Sequence, residues 1–393
     1  MSRWVVICAA ALLSGSSFGW WEAFQHPGLN AAIEQGLAAH PDAAAALARV
    51  QAADADARAV AAGRLPRASI DAGFRSGREQ SMNTGGVEDD IDPLFGSARL
   101  SWELDLFGKI GPGVDAARAT AAMTEAEWEG TQLLLSLDIA RAYVELAYQN
   151  EAVVALREAV DARAALHRRS GNRVTAGLDA PETSDAALAA WQHAEHQLMA
   201  AETARDRTAI RLRSLLGGVD PQTPPGTLNL FTLPAPPDLA ATNYVVGRPD
   251  VVAAYQALRA AEGQTISARR QNRPSLSLVV QAAGEGEDAG DIERWSAWAG
   301  PVLSVPLWRP EVDRRAEAAD SRAEAQRAKW QAVSLRATEE IDRAWAERSR
   351  AEAMMVHADE ILNARNRTAS ITTRKREAGL IQDSEQQLTR IDQ

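Results

Sequence analysis

The sequence predicts a mixed α/β membrane protein, mainly long α-helical coiled-coil hairpins plus four transmembrane β-strands per chain, with internal duplication. Three observations predict it. Pro41-Asp42 returns as Pro249-Asp250 and Pro66 returns as Pro274, both 208 positions on, so one structural unit is used twice. Four segments alternate apolar and polar side chains in the period of a strand with one greasy and one wet face. Residues 114–173 contain no proline and only Gly130 and Gly171 as glycines, so a single helix can run through them.

Residues 1–19 read as a signal peptide. Arg3 precedes an apolar run from Trp4 to Leu13 that has the length of a secretory core and is too short to span a bilayer. Small residues up to Gly19 suit cleavage before Trp20, the alternative being a noncleaved N-terminal apolar segment. Cys8, the only cysteine, lies inside that run, so the mature chain would hold no disulfide or thiol chemistry. The formal net charge of -11 gives no basic footprint for nucleic acid. With 24% charged residues, the chain is not a bundle of apolar membrane helices.

The first structural repeat covers 20–220: a helix, a β-hairpin over 67–107 and a long helical hairpin over 114–216. In the hairpin Ala68, Ile70, Ala72 and Phe74 alternate with Arg67, Ser69, Asp71 and Gly73, and Ala98, Leu100, Trp102, Leu104 and Leu106 alternate with polar residues. A polar loop over 75–95 joins them. Such strands suit a barrel wall between lipid and water, but four are too few to close one. A closed barrel would be shared between copies, and three copies would give twelve strands. The alternative is a pair of surface hairpins covering a soluble helical core.

In the long helix Leu133, Leu137, Ala140, Val144, Ala147 and Val154 form a coiled-coil seam. At 1.5 Å per residue the rod would be about 85–90 Å long. Ala176-Gly177-Leu178 stops it, and Pro181 with Thr183 or Ser184 opens a second helix that ends before Gly217-Gly218. A proline-rich linker, 221–237, leads to the second repeat, 238–393: a helix, a hairpin over 274–308, a long helix over 312–377 and a shortened final helix. In this hairpin Leu276, Leu278, Val280 and Ala282 alternate cleanly, whereas Trp298 and Val302 fall on the polar side. Ala378-Gly379-Leu380 repeats the stop.

No catalytic constellation and no cofactor are expected. His193 and His196 share a helix face around Glu195 but lack a third metal ligand, and His26, His40, His167 and His357 are isolated. Gly284-Glu285-Gly286 opens no helix that would cradle phosphate. Trp191, Trp330 and Trp345 read as helix packing residues. Phe74, Trp102 and Trp295 lie on strands and suit the aromatic girdle of a barrel.

Ser101-Trp102-Glu103-Leu104-Asp105-Leu106-Phe107-Gly108 resembles the signature of the TolC-like outer membrane factors. Trp20-Trp21 through Phe24, Leu29 to Gln35, Arg248-Pro249-Asp250-Val251, Pro274 to Leu278 and both Ala-Gly-Leu stops follow in that family's order. The resemblance is closest to the NodT/OprM-like branch that serves resistance-nodulation-division pumps. It implies a homotrimer with a twelve-stranded barrel in outer-membrane lipid of a Gram-negative bacterium and a helical tunnel in the periplasm. Substrates would pass passively, delivered by an inner-membrane pump and a periplasmic adaptor. By resemblance, Gly177, Leu178, Gly379 and Leu380 would be the adaptor-contact tips. Asp179, Asp185 and Asp383 would form an acidic ring at the periplasmic entrance, or simply favour helix N-termini. The residues around Ser16 lack the cysteine needed for lipidation. The partner expected for the last long helix is missing before Gln393, so the chain reads as truncated at the C-terminus. That leaves a second reading, a non-transporting periplasmic coiled-coil interaction protein.

Overall fold

Prolines open most of the helices, and glycines close the two that end at Thr175 and Leu215. The computed structural model describes residues 19–74, 77–80, 88–91, 94–225, 244–286 and 294–378. The signal-peptide core, most of the proline-rich linker and the positions Gly379, Leu380 and Asp383 lie outside the described residues. A 3-10 turn at Trp20–Phe24 leads to α1 (Pro27–Ala39), α2 (Pro41–Ala61), β1 (Arg67–Phe74), β2 (Gly77–Gln80), β3 (Glu88–Ile91) and β4 (Leu94–Leu104). Then come α3 (Gly111–Thr175), α4 (Pro181–Leu215), α5 (Pro249–Arg270), β5 (Ser275–Gly286), β6 (Arg294–Ser304) and α6 (Pro310–Glu377). Proline is the first residue of α1, α2, α4, α5 and α6, where its preset φ helps and its missing N–H costs nothing.

The duplication is visible in these boundaries. Helices α2 and α5 start 208 positions apart, as do β1 and β5. A shorter second hairpin then reduces the offset, so that the first residues of α3 and α6, Gly111 and Pro310, lie 199 positions apart. Each of two compact units takes segments from both copies. One comprises Met1–Leu47, Glu127–Val251 and Ser334–Gln393; the other comprises Ala48–Ala126 and Val252–Val333.

The core of the first unit is aromatic at its start. Trp20, Trp21, Phe24, Leu29 and Ile33 are buried with Leu135, Ile139, Tyr143 and Leu146 of α3 and with Leu212 and Leu216 at the end of α4. Burial of each large side chain is worth about 1.5–3 kcal/mol. Trp20 meets Phe24 edge-on at 6.0 Å and donates its indole N–H to Ser136 Oγ at 3.0 Å, which satisfies a buried polar group. His26 caps α1: its Nδ1 accepts the Leu29 N–H at 3.0 Å. The second copy reuses the pattern on a smaller scale. Ile341, Ala344 and Trp345 stand 202 positions after Ile139, Ala142 and Tyr143 and pack with Tyr244 and Val245.

The seam of α3 holds through Ala140, Val144 and Ala147, all buried. It does not continue to Val154, which is 57% exposed while Val153 is 2% exposed. The buried face of α3 is wider than one heptad stripe: Ile139 and Leu146 are buried beside Ala140 and Ala147, and by Val153 only the Ile139-Leu146 side of that face is still covered. Along α6, Leu335, Met354, Val356, Ile361, Leu362 and Ile371 are exposed.

The second unit contains one four-stranded antiparallel sheet in the order β1-β4-β5-β6, with β2 and β3 forming a separate two-stranded ribbon. That ribbon lies within the stretch expected to be a loop, and β4 starts at Leu94. At its other end β4 stops at Leu104 instead of reaching Leu106. The side chain of Asp105 turns to accept the Ile110 and Gly111 N–H groups, both at 2.9 Å, and so caps α3. Gly263 lets α5 approach Ala116 of α3, where an added Cβ would lie 3.0 Å from the Ala116 Cβ. Arg269–Asp320 at 2.7 Å and Arg327–Glu262 at 2.8 Å join α5 to α6.

Candidate functional site

The register sorts the sheet into two chemically different faces. Ala68 pairs with Leu100 and Ile70 with Ala98; Leu100 pairs with Val280, and Trp102 with Leu278; Leu276 pairs with Leu303, and Gly284 with Trp295. Side chains of paired residues share a face. One face is therefore an aliphatic band, and it is open: Ile70 is 85% exposed, and Leu100, Leu278, Val280 and Leu303 are exposed with it. Phe74, Trp102 and Trp295 all belong to this face and are exposed. Trp102 lies toward the helix end and Phe74 and Trp295 toward the hairpin loops. Six residues of β4 separate the Trp102 row from the Trp295 row, about 20 Å at 3.4 Å per residue. Membrane barrels carry an apolar band of about 25 Å flanked by aromatics.

The opposite face carries Arg67, Asp71, Arg99, Glu103, Gln281, Glu285 and Arg294 with serines between them, and Arg294 pairs with Glu285 at 3.0 Å. Trp298 and Val302 fall on this polar face, opposite Gln281 and Ser277. Within the chain the outer edges of β1 and β6 have no partner strand among the described residues.

The other candidate region is the turn between α3 and α4. Gly177 has φ +70°, Leu178 N–H donates to the Arg173 carbonyl at 2.9 Å, and Gly177 N–H donates to the Val174 carbonyl at 2.9 Å. This Schellman arrangement satisfies the last carbonyls of α3. Leu178 is then left 65% exposed at the turn. Helix α4 begins at Pro181 with Ala180 as its cap and no capping side chain, so Thr183 and Ser184 do not start it.

Asp179 accepts from Arg173 Nε at 2.7 Å and Nη2 at 2.8 Å, a fork that holds its carboxyl below the usual carboxylate range. Asp185 is exposed on α4. Gly379, Leu380 and Asp383 lie outside the described residues, so the structure gives no geometry for the second tip. His193 and His196 are exposed on α4, and His167 stacks on Trp191 at 5.7 Å between α3 and α4.

Two constellations escaped sequence reasoning. The strand-to-helix turn after β4 is clamped by the end of α5 and the turn that follows it: Arg270 Nη1 donates to the Gly108 carbonyl at 2.9 Å and Arg273 Nη1 to the Phe107 carbonyl at 2.8 Å. Gly108 has φ +64° there, which explains the glycine closing the Leu-Phe-Gly motif. Arg248 binds Asp250 at 2.9 and 3.0 Å and Glu340 at 2.7 Å, tying the start of α5 to α6. The recurrent Pro-Asp pair was the signal for the second. In the first copy His40 takes the place of Arg248, and its Nδ1 accepts the Asp42 N–H at 3.2 Å.

Comparison with known proteins agrees with this geometry. Residues 32–218 match the family described as outer membrane efflux protein. The chain is 27% identical over 301 residues to the fusaric acid resistance protein FusA of Burkholderia cepacia, covering 74% of this chain and 57% of FusA. It is 27% identical over 279 residues to the pyoverdine export outer membrane protein OpmQ of Pseudomonas putida, covering 67% of this chain and 57% of OpmQ. The chain thus spans somewhat over half the length of these relatives. The fold matches that of the Campylobacter jejuni CmeC outer membrane channel with a TM-score of 0.79 at 17% identity, over 95% of this chain and 82% of CmeC.

Proposed function

We propose that this chain, a TolC-like member of the outer membrane efflux protein family, forms one wall segment of an outer-membrane efflux channel. The observation that carries this is the four-stranded sheet, with an exposed aliphatic face, a charged opposite face and two edges that have no partner strand among the described residues. Open edges in hydrocarbon leave backbone N–H and C=O groups unsatisfied at several kcal/mol each, so the sheet must continue into other copies. Three copies give twelve strands, a homotrimer. Apolar side chains left exposed along α6 supply further surface for contact between copies.

In this reading the aliphatic face meets outer-membrane lipid, with Phe74, Trp102 and Trp295 as its aromatic girdle. The polar face lines a water-filled exit duct through which substrates pass passively. An inner-membrane pump of the resistance-nodulation-division type supplies the energy, and a periplasmic adaptor docks on the helical turns at Gly177-Leu178 and Gly379-Leu380. Asp179, Asp185 and Asp383 form the acidic periplasmic entrance. The names of relatives concerned with resistance and export support a role in efflux.

Membrane fractionation followed by planar-bilayer recording tests the reading. A heat-modifiable trimer from outer membranes that conducts ions supports it. A monomer in the periplasmic extract contradicts it and favours the coiled-coil interaction protein, for which the exposed apolar side chains on α6 are the supporting feature.

A further inference from the structure

Helices α3 and α4 line a cavity of about 490 Å³ close to the turn that joins them. Its α3 wall follows from spacing: Arg163, Leu166, Ser170 and Arg173 recur at intervals of three and four residues and so share one face, with Arg169 beside it. The α4 wall is mostly alanine. Ala186, Ala187 and Ala190 are too short to fill the space opposite the long side chains of α3. Pockets for small ligands measure about 300–1,000 Å³, so this one has room for a compact molecule.

The lining is chemically uneven. It carries three guanidinium groups, on Arg163, Arg169 and Arg173, against one carboxylate, that of Asp179. Asp179 is committed to Arg173 through bonds of 2.7 and 2.8 Å. Arg163 and Arg169 each carry five N–H donors, so an ion pair made elsewhere still leaves several for a ligand. All three arginines are half-buried, where attraction between charges is screened less than on an open surface. Ser170 adds a hydroxyl: its Oγ is buried at the cavity with no hydrogen-bond partner among the described residues. A buried hydroxyl of this kind gains from an acceptor oxygen.

We infer that this cavity binds a small organic carboxylate. Arg163, Arg169 and the Ser170 hydroxyl supply donors to its carboxylate, and Leu166 with the alanines of α4 receives its apolar body. The planar fork of arginine suits a carboxylate, and the apolar walls favour an organic anion over an inorganic one. Asp179 acts as an internal competitor, because it occupies Arg173 with the same kind of group that the ligand presents. The site goes beyond the channel reading and does not rest on it. Both walls come from one chain, so a monomer and a trimer would carry it alike.

Isothermal titration calorimetry of the full chain in detergent, with benzoate as the probe, tests the site. Saturable binding of one benzoate per chain is expected, weaker as salt is raised. Arg163→Gln and Arg169→Gln should each weaken it about tenfold, and Ser170→Ala about threefold. Asp179→Asn should strengthen it, because Arg173 is then released to the ligand. Benzyl alcohol, which keeps the ring without the charge, and inorganic phosphate, which keeps charge without the ring, should each bind about tenfold more weakly than benzoate. Should an arginine variant fail to fold, as judged by its helical circular dichroism, Ser170→Ala and Asp179→Asn carry the test, since they act in opposite directions. No saturable benzoate binding, or an affinity unchanged in every folded variant, would overturn the site. Phosphate binding as tightly as benzoate would overturn its assignment to an organic anion. Trimer formation, read separately by light scattering, distinguishes failure of this site from failure of the channel reading.

Discussion

Arg270 donates from Nη1 to the carbonyl oxygen of Gly108 at 2.9 Å, a bond between residues 162 positions apart that fixes the exit of β4 against α5. A hydrogen bond from a charged donor is worth about 1.5–3 kcal/mol. Arg270→Ala should therefore destabilise the protein by about that amount, read as a lower midpoint of thermal unfolding in detergent. An unchanged midpoint would show that the Asp105 cap and Arg273 hold the turn without Arg270.

Gly177 and Gly217 have nearly the same backbone, φ +70° and +77°, in different surroundings. An added Cβ at Gly177 meets nothing within 4 Å, whereas at Gly217 it lies 2.9 Å from the Ala39 carbonyl oxygen and Cβ. Left-handed strain costs a non-glycine residue about 1–2 kcal/mol at either place. Overpacking adds about 1–3 kcal/mol only at Gly217. Denaturant titration should rank Gly217→Ala as clearly the less stable variant.

His26 is buried at the start of α1, and burial pushes its pKa below the usual 6.5. The cap requires an unprotonated Nδ1 to accept the Leu29 N–H. Because the folded-state pKa lies below that of the unfolded chain, the unfolded state takes up the proton first as pH falls. Stability should be level above about pH 6.5 and decline from there down through the folded-state pKa. His26→Asn keeps a good capping side chain and should flatten that part of a stability-versus-pH curve.

The fork between Arg173 and Asp179 predicts an order of effects at the proposed entrance. Replacing Asp179, Asp185 and Asp383 together by Ala should lower cation conductance in planar bilayers. Arg173→Gln alone should raise it, since the Asp179 carboxylate loses its neutralising partner. Equal conductance in all three proteins would remove the acidic ring.

Much of the fold was legible because backbone chemistry marks it locally. Pro41, Pro181 and Pro249 open helices, Gly177 closes one, and strict alternation identifies β1 and β5 together with the side of the sheet on which Trp298 falls. Contacts distant in sequence were not legible. Asp105 sits in phase with the alternation of β4 and reads as a strand residue until its bonds to Ile110 and Gly111 are known. The pairing of Gly77–Gln80 with Glu88–Ile91 was hidden in a polar, glycine-containing stretch without apolar alternation. Val154 was misplaced because two adjoining heptad stripes are buried together at Ile139-Ala140 and Leu146-Ala147, and sequence spacing alone does not say that only the one through Val153 stays covered. At the candidate sites, sequence named the aromatics of the aliphatic face and the Gly177 turn. It missed the arginines that hold the turn after β4.

The number of copies in the membrane-embedded particle tests the central claim most directly. Protein extracted from outer membranes should measure, by light scattering with the detergent contribution subtracted, as three chains. A single chain that remains in solution without detergent would contradict a barrel wall shared between copies.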